Sequence, residues 1–536
     1  MTVHQPTLLP TRAQYAPDEE ISLEIDSAVG DVLSGTLSVW RLGRRIHEQP
    51  ITADALQHLP GLPEGGYGVE ARIGEAVHRT AVEVTADARS RLRYGFVASY
   101  RPDKDVDAVA RLARRLHLNG VQFYDWAYRH ADLLGGGEHY DDALGQPIEL
   151  ETVTRLIRAL KGAGSVAHGY AAVYAVGPAE WDRWADLALL RPSGEPYALG
   201  DFLFLVDPAA PRWAEHFGRE LVEASRQLGF DGFHLDQYGY PKFAAEPGGH
   251  PVDVAESFVT LLAGLRAALP DTSLIFNNVN DFPTWRTAST EQDAVYIEPW
   301  KPNSDLGSLA QIVSRARLAS AGQPVVIAAY QHVYDSAAAH EADRATSFTM
   351  ATLFSHGATQ LLAGESGHVL VDPYYVRNHR AEESTLDLLA RWYDFVVEHD
   401  ALLMPPSIAE VTRSYVGDYN DDLELSYPGT GAAVSETAVA GTVWRRVTTT
   451  PEGLVVHAIN LVGQEDTLWD APRRSPEDVG DGELRFRPIR GRMPRVSVAD
   501  PDRQARLVEV PVRLDGDHAV ASLPAPHIWQ VIHVAL

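Results

Sequence analysis

The chain has no cysteine among its 536 residues. That absence excludes disulfides, a thiol nucleophile and thiolate-bound metal, and leaves the redox compartment open. Basic residues are also scarce: 46 Lys and Arg stand against 73 Asp and Glu, a formal net charge of −27. A nucleic-acid partner needs a basic face, so none is expected, whereas a neutral ligand such as a sugar is not disfavoured. No stretch approaches the ~18 consecutive apolar residues of a membrane-spanning helix, so no membrane partner is expected. Met1-Thr2-Val3-His4-Gln5-Pro6 carries no basic segment leading into an apolar run. The expectation is therefore a cytoplasmic protein, or a secreted one whose leader has been removed. What is present, 45% hydrophobic and 22% charged residues, is the composition of a globular chain too long for one ordinary core.

Three rhythms divide it. Residues 1–90 show short alternating runs, Ile21-Ser22-Leu23-Glu24-Ile25 among them, separated by Gly/Pro turns. Such a pattern predicts a small Ig-like β-sandwich. Across 91–404 strand and helix patterns alternate. Strands are expected at 94–100, 121–126, 166–174, 232–236, 273–280, 294–298, 324–330 and 359–365, with helices between them at 106–118, 212–228, 252–269 and 346–354. Eight such units predict a central (β/α)8 TIM-type barrel. A doubly wound sheet would carry a Gly-rich phosphate turn after its first strand, and Tyr100-Arg101-Pro102-Asp103-Lys104 is not one. From 405 to 536 short β runs return at 442–447, 454–459, 505–512 and 529–534, predicting a closing β-sandwich.

Chemistry in such barrels lies at the C-terminal strand tips. Two tips here are acids: Gly232-Phe233-His234-Leu235-Asp236 and Ala294-Val295-Tyr296-Ile297-Glu298. Paired strand-end carboxylates suit a glycosidase, one protonating the leaving oxygen and the other attacking or stabilising the anomeric carbon. Acids at strand ends also cap helices or pair with arginines, so the neighbouring residues matter. The second tip offers Tyr124, Asp125 and Trp126; the third, Tyr170 and Tyr174; the fourth, His234 and Gln237. The fifth adds Asn277, Asn278 and Asn280; the sixth, Trp300; the seventh, Tyr330; the eighth, Glu365. Aromatic faces for sugar C–H surfaces beside amides, acids and imidazoles for hydroxyls make a carbohydrate-binding set. No metal or other cofactor is expected. His130, His139, His168, His234 and His332 are scattered without ligand spacing, and Asp418, Asp421 and Asp422 read as a solvated turn rather than a Ca2+ loop.

Tyr124-Asp125-Trp126 with Arg129-His130, the 230–236 run, Tyr296-Ile297-Glu298-Pro299-Trp300, and Gly364-Glu365-Ser366-Gly367 before Asp372-Pro373-Tyr374-Tyr375 occur in this order. Together they resemble glycoside hydrolase family 66, the bacterial dextranases and cycloisomaltooligosaccharide glucanotransferases. The resemblance implies retaining hydrolysis of α-1,6-glucosidic linkages in dextran or isomaltooligosaccharides. It makes Asp236 the nucleophile and Glu298 the acid/base, with carboxyls about 5–5.5 Å apart. It also implies that Asp125 and Asn278 hold hydroxyls of the −1 sugar, and makes Tyr174, Trp126 and Trp300 candidate stacking platforms. The glucanotransferases carry a carbohydrate-binding module within the barrel, and no loop here is long enough for one, which favours hydrolysis over cyclisation. Other α-glycosidase specificities (α-galactosidase- or α-glucosidase-like), cyclising transglycosylation and a non-catalytic carbohydrate-binding role are the alternatives. Oligomeric state stays open.

Overall fold

The computed structural model describes residues 7–26, 35–52, 54–488 and 493–535. Its centre is a series of parallel strands in chain order: Tyr94–Val97, Gly120–Phe123, Val166–Ala172, Gly232–Asp236, Ser273–Val279, Ala294–Glu298 and Val325–Ile327. An eighth segment follows in two pieces. Ala358–Gln360 pairs with the seventh strand, while Ala363–Gly364 pairs with the first through Gly364 and Phe96. Only Leu361 and Leu362 separate the pieces, so the eleven-stranded sheet curls until its eighth segment meets its first strand. A short hairpin, His368–Val369 and His379–Arg380, completes it. That meeting is tight: a Cβ on Gly364 would lie 2.1 Å from the Phe96 carbonyl oxygen.

Period-two alternation sorts these strands into two faces. Phe233, Leu235, Phe276, Val295 and Ile297 join the large core shared with the surrounding helices, whereas Tyr94, Phe96, Ile275, Tyr296 and Val326 cluster on the inner side. The helices follow from the sequence between strands. Pro211–Leu228 begins with proline at its first turn and ends at Gly229, whose φ of 87° is the left-handed cap glycine adopts without strain. Its buried Trp213, Phe217, Leu221, Ala224 and Leu228 recur at helical spacing against the sheet. Burial of each large side chain there contributes about 1.5–3 kcal/mol. Leu306–Ala319 starts from a capping box in which the Asp305 carboxylate accepts from Ser308 N at 2.9 Å. The expected helix over 346–354 is longer, Ala339–Ser355, because its start carries little apolar patterning to mark it.

On the N-terminal side, a four-stranded sheet (Gly35–Arg41, Arg44–Pro50, Gly65–Ile73, Ala76–Val84) and a three-stranded sheet (Thr7–Pro10, Ile21–Asp26, Leu56–Leu59) share one apolar core. On the C-terminal side, a seven-stranded sheet including Val443–Thr450, Gly453–Asn460 and Trp529–Ala535 shares a core with a four-stranded sheet. The single strand expected over 505–512 is not formed. Pro511 lacks an N–H, and the chain makes two short strands instead, Val508–Glu509 and Val512–Asp515, in different sheets.

Candidate active site

The C-terminal ends of the second to seventh strands open into one cleft of about 330 Å³. Alternation aims Asp236, Asn277 and Glu298 into it from three neighbouring strands, the fourth, fifth and sixth. Asn277 lies between the two acids and serves both: its amide nitrogen donates to Asp236 Oδ1 at 2.7 Å and to Glu298 Oε2 at 2.8 Å. Those oxygens can therefore be no further apart than the sum of the two distances, 5.5 Å. With the two N–H bonds of one planar amide diverging by roughly 120°, they stand about 4.8 Å apart.

The surroundings treat the two acids differently. Tyr170 donates its hydroxyl to Asp236 Oδ2 at 2.8 Å. Burial pushes the Asp236 carboxyl up, while the bonds from Tyr170 and Asn277 oppose that push. Glu298 is also raised first by burial, and the charge of Asp236 raises it again; bonds from the Asn277, Tyr330 and Trp300 side chains oppose the rise. Burial thus raises both acids, and only Glu298 has its neighbour's charge among the causes of its rise. Asp125, in a positive-φ conformation (31°), is pushed up to about 8 by burial and by the acids Asp142 and Asp236. Tyr375 links this second acid group to the cleft by donating to Asp142 Oδ2 at 2.9 Å.

Of the residues picked from sequence, Tyr124, Asp125, His234, Asp236, Gln237, Glu298, Trp300 and Tyr330 line this cleft. Their parts differ. Gln237 spends its amide on the Asn277 and Phe282 carbonyls, at 3.1 and 2.9 Å, and so locks the fifth strand in place. His234 is buried and neutral, lowered to about 3 by burial, with its ring edge-on to Tyr296. Trp300 stands at the rim, 42% exposed and tilted over Tyr330.

Four expectations are corrected. Asn278 faces outward, donating to the Phe276 and Tyr296 carbonyls and accepting from Thr287, because the pleat puts its neighbour Asn277 inside. Trp126 is fully buried against Phe230, its indole donating to the Tyr170 carbonyl. Tyr174 is also fully buried, bonded to Tyr240 O and Tyr238 N. Glu365 accepts from Ala98 N and Ser99 N and pairs with Lys104, which ties the eighth segment to the first strand. Conversely, Tyr296 lines the cleft floor, and it stands two residues before Glu298, the spacing that puts both on one face. Tyr238, Tyr374 and Tyr375 complete the aromatic lining, with Leu199, Phe202 and Leu203 on a hairpin that no sequence signal marked.

Comparison with known proteins identifies the family of the chain. The family model for glycosyl hydrolase family 66 matches residues 10–533. Two cycloisomaltooligosaccharide glucanotransferases of Niallia circulans are each 24% identical, one over 408 residues and the other over 286. The matches cover 68% and 47% of this chain, and 41% and 29% of those proteins. The chain thus spans about two fifths or less of the length of the curated relatives it matches. A solved cycloisomaltooligosaccharide glucanotransferase of Paenibacillus sp., complexed with cycloisomaltoheptaose, superposes with a TM-score of 0.87 at 17% identity, over 98% of this chain and 99% of that one. A maltogenic α-amylase from Thermotoga neapolitana gives 0.53 at 9% identity, over 84% and 99%. At these identities the solved structures speak for the fold alone, whereas the family match runs nearly end to end: the chain belongs to glycosyl hydrolase family 66.

Proposed function

We propose that the chain is a retaining glycosidase acting on α-1,6-linked glucose chains, isomaltooligosaccharides or dextran, by double displacement. The observation that carries this reading is the amide of Asn277 shared between two carboxylates. A spacing of about 4.8 Å leaves no room for a water between acid and sugar, which favours direct attack by Asp236 over an inverting reaction. Glu298 protonates the leaving oxygen. Once Asp236 is esterified its charge is gone, Glu298 ionises more readily, and it activates the incoming water or sugar hydroxyl. Asp125, largely protonated at neutral pH, is suited to donate to a hydroxyl of the bound sugar, and Trp300 and Tyr330 to stack on one.

The fold reading that goes with this is a (β/α)8 barrel over 91–404 between β-sandwiches at 1–90 and 405–536. The substrate class draws support from the glucanotransferases named above, one of them complexed with cycloisomaltoheptaose. Those names also favour a second reading, in which a sugar hydroxyl intercepts the glycosyl enzyme and closes a ring.

Incubation with dextran and with isomaltotetraose to isomaltohexaose, followed by chromatography of the products, separates the two. Linear products support hydrolysis, and cyclic ones the second reading. No product from either substrate rejects the α-1,6 specificity. Asp236→Asn and Glu298→Gln should each fold and lose most activity. Azide should partly rescue Glu298→Gln on an activated substrate, giving the α-glycosyl azide. A β-glycosyl azide would reject retention, and ordinary activity in either variant would reject the assignment.

A further inference from the structure

A second cavity, about 710 Å³ and so larger than the catalytic cleft, lies away from it between the helix Leu306–Ala319 and the C-terminal strand Val443–Thr450. The strand presents Trp444 and Arg446 to it, two residues apart and hence on one face. Arg446 is only 6% exposed, yet it has no carboxylate partner among the described residues. One nitrogen donates to the Ser355 carbonyl, and its Nε has no partner at all. Arg413, exposed and in the short segment Thr412–Tyr415 that packs on the same strand, makes no hydrogen bond or ion pair among the described residues. Arg315 is held by Asp281 at 2.6 Å, and Glu436 is taken by Arg445 at 3.2 Å. Glu410 alone remains as a free acid against the two unpaired guanidinium groups. Nearby Arg317, which donates only to carbonyls, adds positive charge; burial and Arg91 lower it to about 10.

Glu410 attracts Arg446 without pairing with it, and a buried guanidinium with no bonded counter-charge is costly; the group that relieves it best is an oxyanion, which accepts two parallel N–H bonds. In a chain of net charge −27 a cavity with surplus positive charge is not the default of its surface. Gln311 and Thr437 add neutral polar groups around the same space. We propose that this cavity binds a phosphate group, free or carried by a small phosphorylated sugar, held between Arg446 and Arg413. Only the folded chain brings these two groups to one cavity, so binding there stabilises it.

The test uses the whole protein, with thermal unfolding and calorimetry in sodium phosphate, in glucose 6-phosphate and in sodium chloride at matched ionic strength. Saturable stabilisation by either phosphate beyond chloride is expected. Arg413→Ala, an exposed change that leaves the fold intact, should weaken that binding about tenfold, the value of one charged hydrogen-bonding partner. Arg446→Gln should abolish it, provided its circular dichroism is native. Tighter binding of glucose 6-phosphate identifies the carried phosphate, and equal binding the free ion. No stabilisation beyond chloride, or stabilisation untouched by Arg413→Ala, overturns the site. Protection by isomaltose that Arg413→Ala removes, with none by phosphate, overturns its chemistry in favour of a neutral sugar.

Discussion

Asn277 carries the geometry of the cleft although it has no chemistry of its own. Each of its N–H bonds favours the ionised form of the acid that receives it, so it lowers the pKa of Asp236 and of Glu298 together. Replacing it by alanine removes both bonds, and both carboxyls rise further. The pH profile of kcat/KM should be bell-shaped, its acidic limb set by ionisation of the nucleophile and its alkaline limb by loss of the proton on Glu298. In Asn277→Ala both limbs should move to higher pH, with a fall in kcat/KM on the order of 10²-fold, as for loss of one preorganised donor. A lowered rate with limbs unmoved would mean that Asn277 only fills space. The adjacent Asn278 shows why the sequence alone does not single out Asn277. Two identical residues stand side by side near the end of the same strand, and only the pleat decides that the second is spent on the Phe276 and Tyr296 carbonyls.

At the scale of the elements, the strand-helix rhythm was largely legible because buried parallel strands are continuous apolar runs that end abruptly in polar residues. The fourth and sixth strands, Gly232–Asp236 and Ala294–Glu298, have the bounds their sequence suggests, each closing on its acid. The eighth is harder to read: it is broken at Leu361–Leu362, and nothing apolar distinguishes the break. Its Glu365, expected against substrate, instead accepts two backbone N–H groups of the first strand's exit loop and pairs with Lys104. Its removal leaves a buried lysine and two donors without partners. Glu365→Ala should therefore destabilise the protein by about 3 kcal/mol, the cost of breaking a buried pair. Denaturant unfolding measures that loss, and KM of the variant that remains folded should equal that of the wild type. A raised KM at unchanged stability would restore the substrate-binding role. Trp126 and Tyr174 make the same point, since aromatic residues beyond a strand tip pack outward as readily as inward.

Across the whole molecule, the helix Glu383–Glu398 joins the N-terminal four-stranded sheet to the body. Asp394 accepts from Thr80 Oγ1 and Ala81 N, and Glu398 pairs with Arg79 at 2.8 Å. Arg506 from the C-terminal part stacks 3.6 Å from the Trp40 ring and pairs with Glu70, so three regions meet in one charge network. Burial nevertheless raises Glu398 to about 7 against the pull of Arg79 and Arg506. A carboxyl raised on folding binds more protons in the native state, so its contribution to stability is lost as pH climbs from the ordinary carboxylate range through about 7. Arg79→Ala takes away the nearest opposing charge. Its cost should be small at pH 5, where Glu398 is neutral, and about 3 kcal/mol at pH 8. Urea midpoints at the two pH values check this; an equal loss at both would show that Arg79 acts through packing or its contact with Glu70 rather than through Glu398. None of this network was legible in the sequence, because its three groups, residues 70–81, 394–398 and Arg506, lie far apart along the chain and no local pattern links them.

The donors around Asp236 outlast the acid they serve. If Asp236 is cut back to glycine, the Tyr170 hydroxyl and the Asn277 amide still point into the vacated space, with bond lengths of 2.8 and 2.7 Å in the intact protein. Two N–H and O–H groups converging on an emptied pocket make a cradle for a departing halide. A β-glucosyl fluoride offered to Asp236→Gly presents its fluorine where the carboxylate stood, and Glu298 can take the proton of an incoming sugar hydroxyl. The variant should then build α-linked oligosaccharides that it is unable to cut, measurable as fluoride release in step with chain growth. The same site, stripped of the nucleophile proposed above, becomes a tool for synthesis.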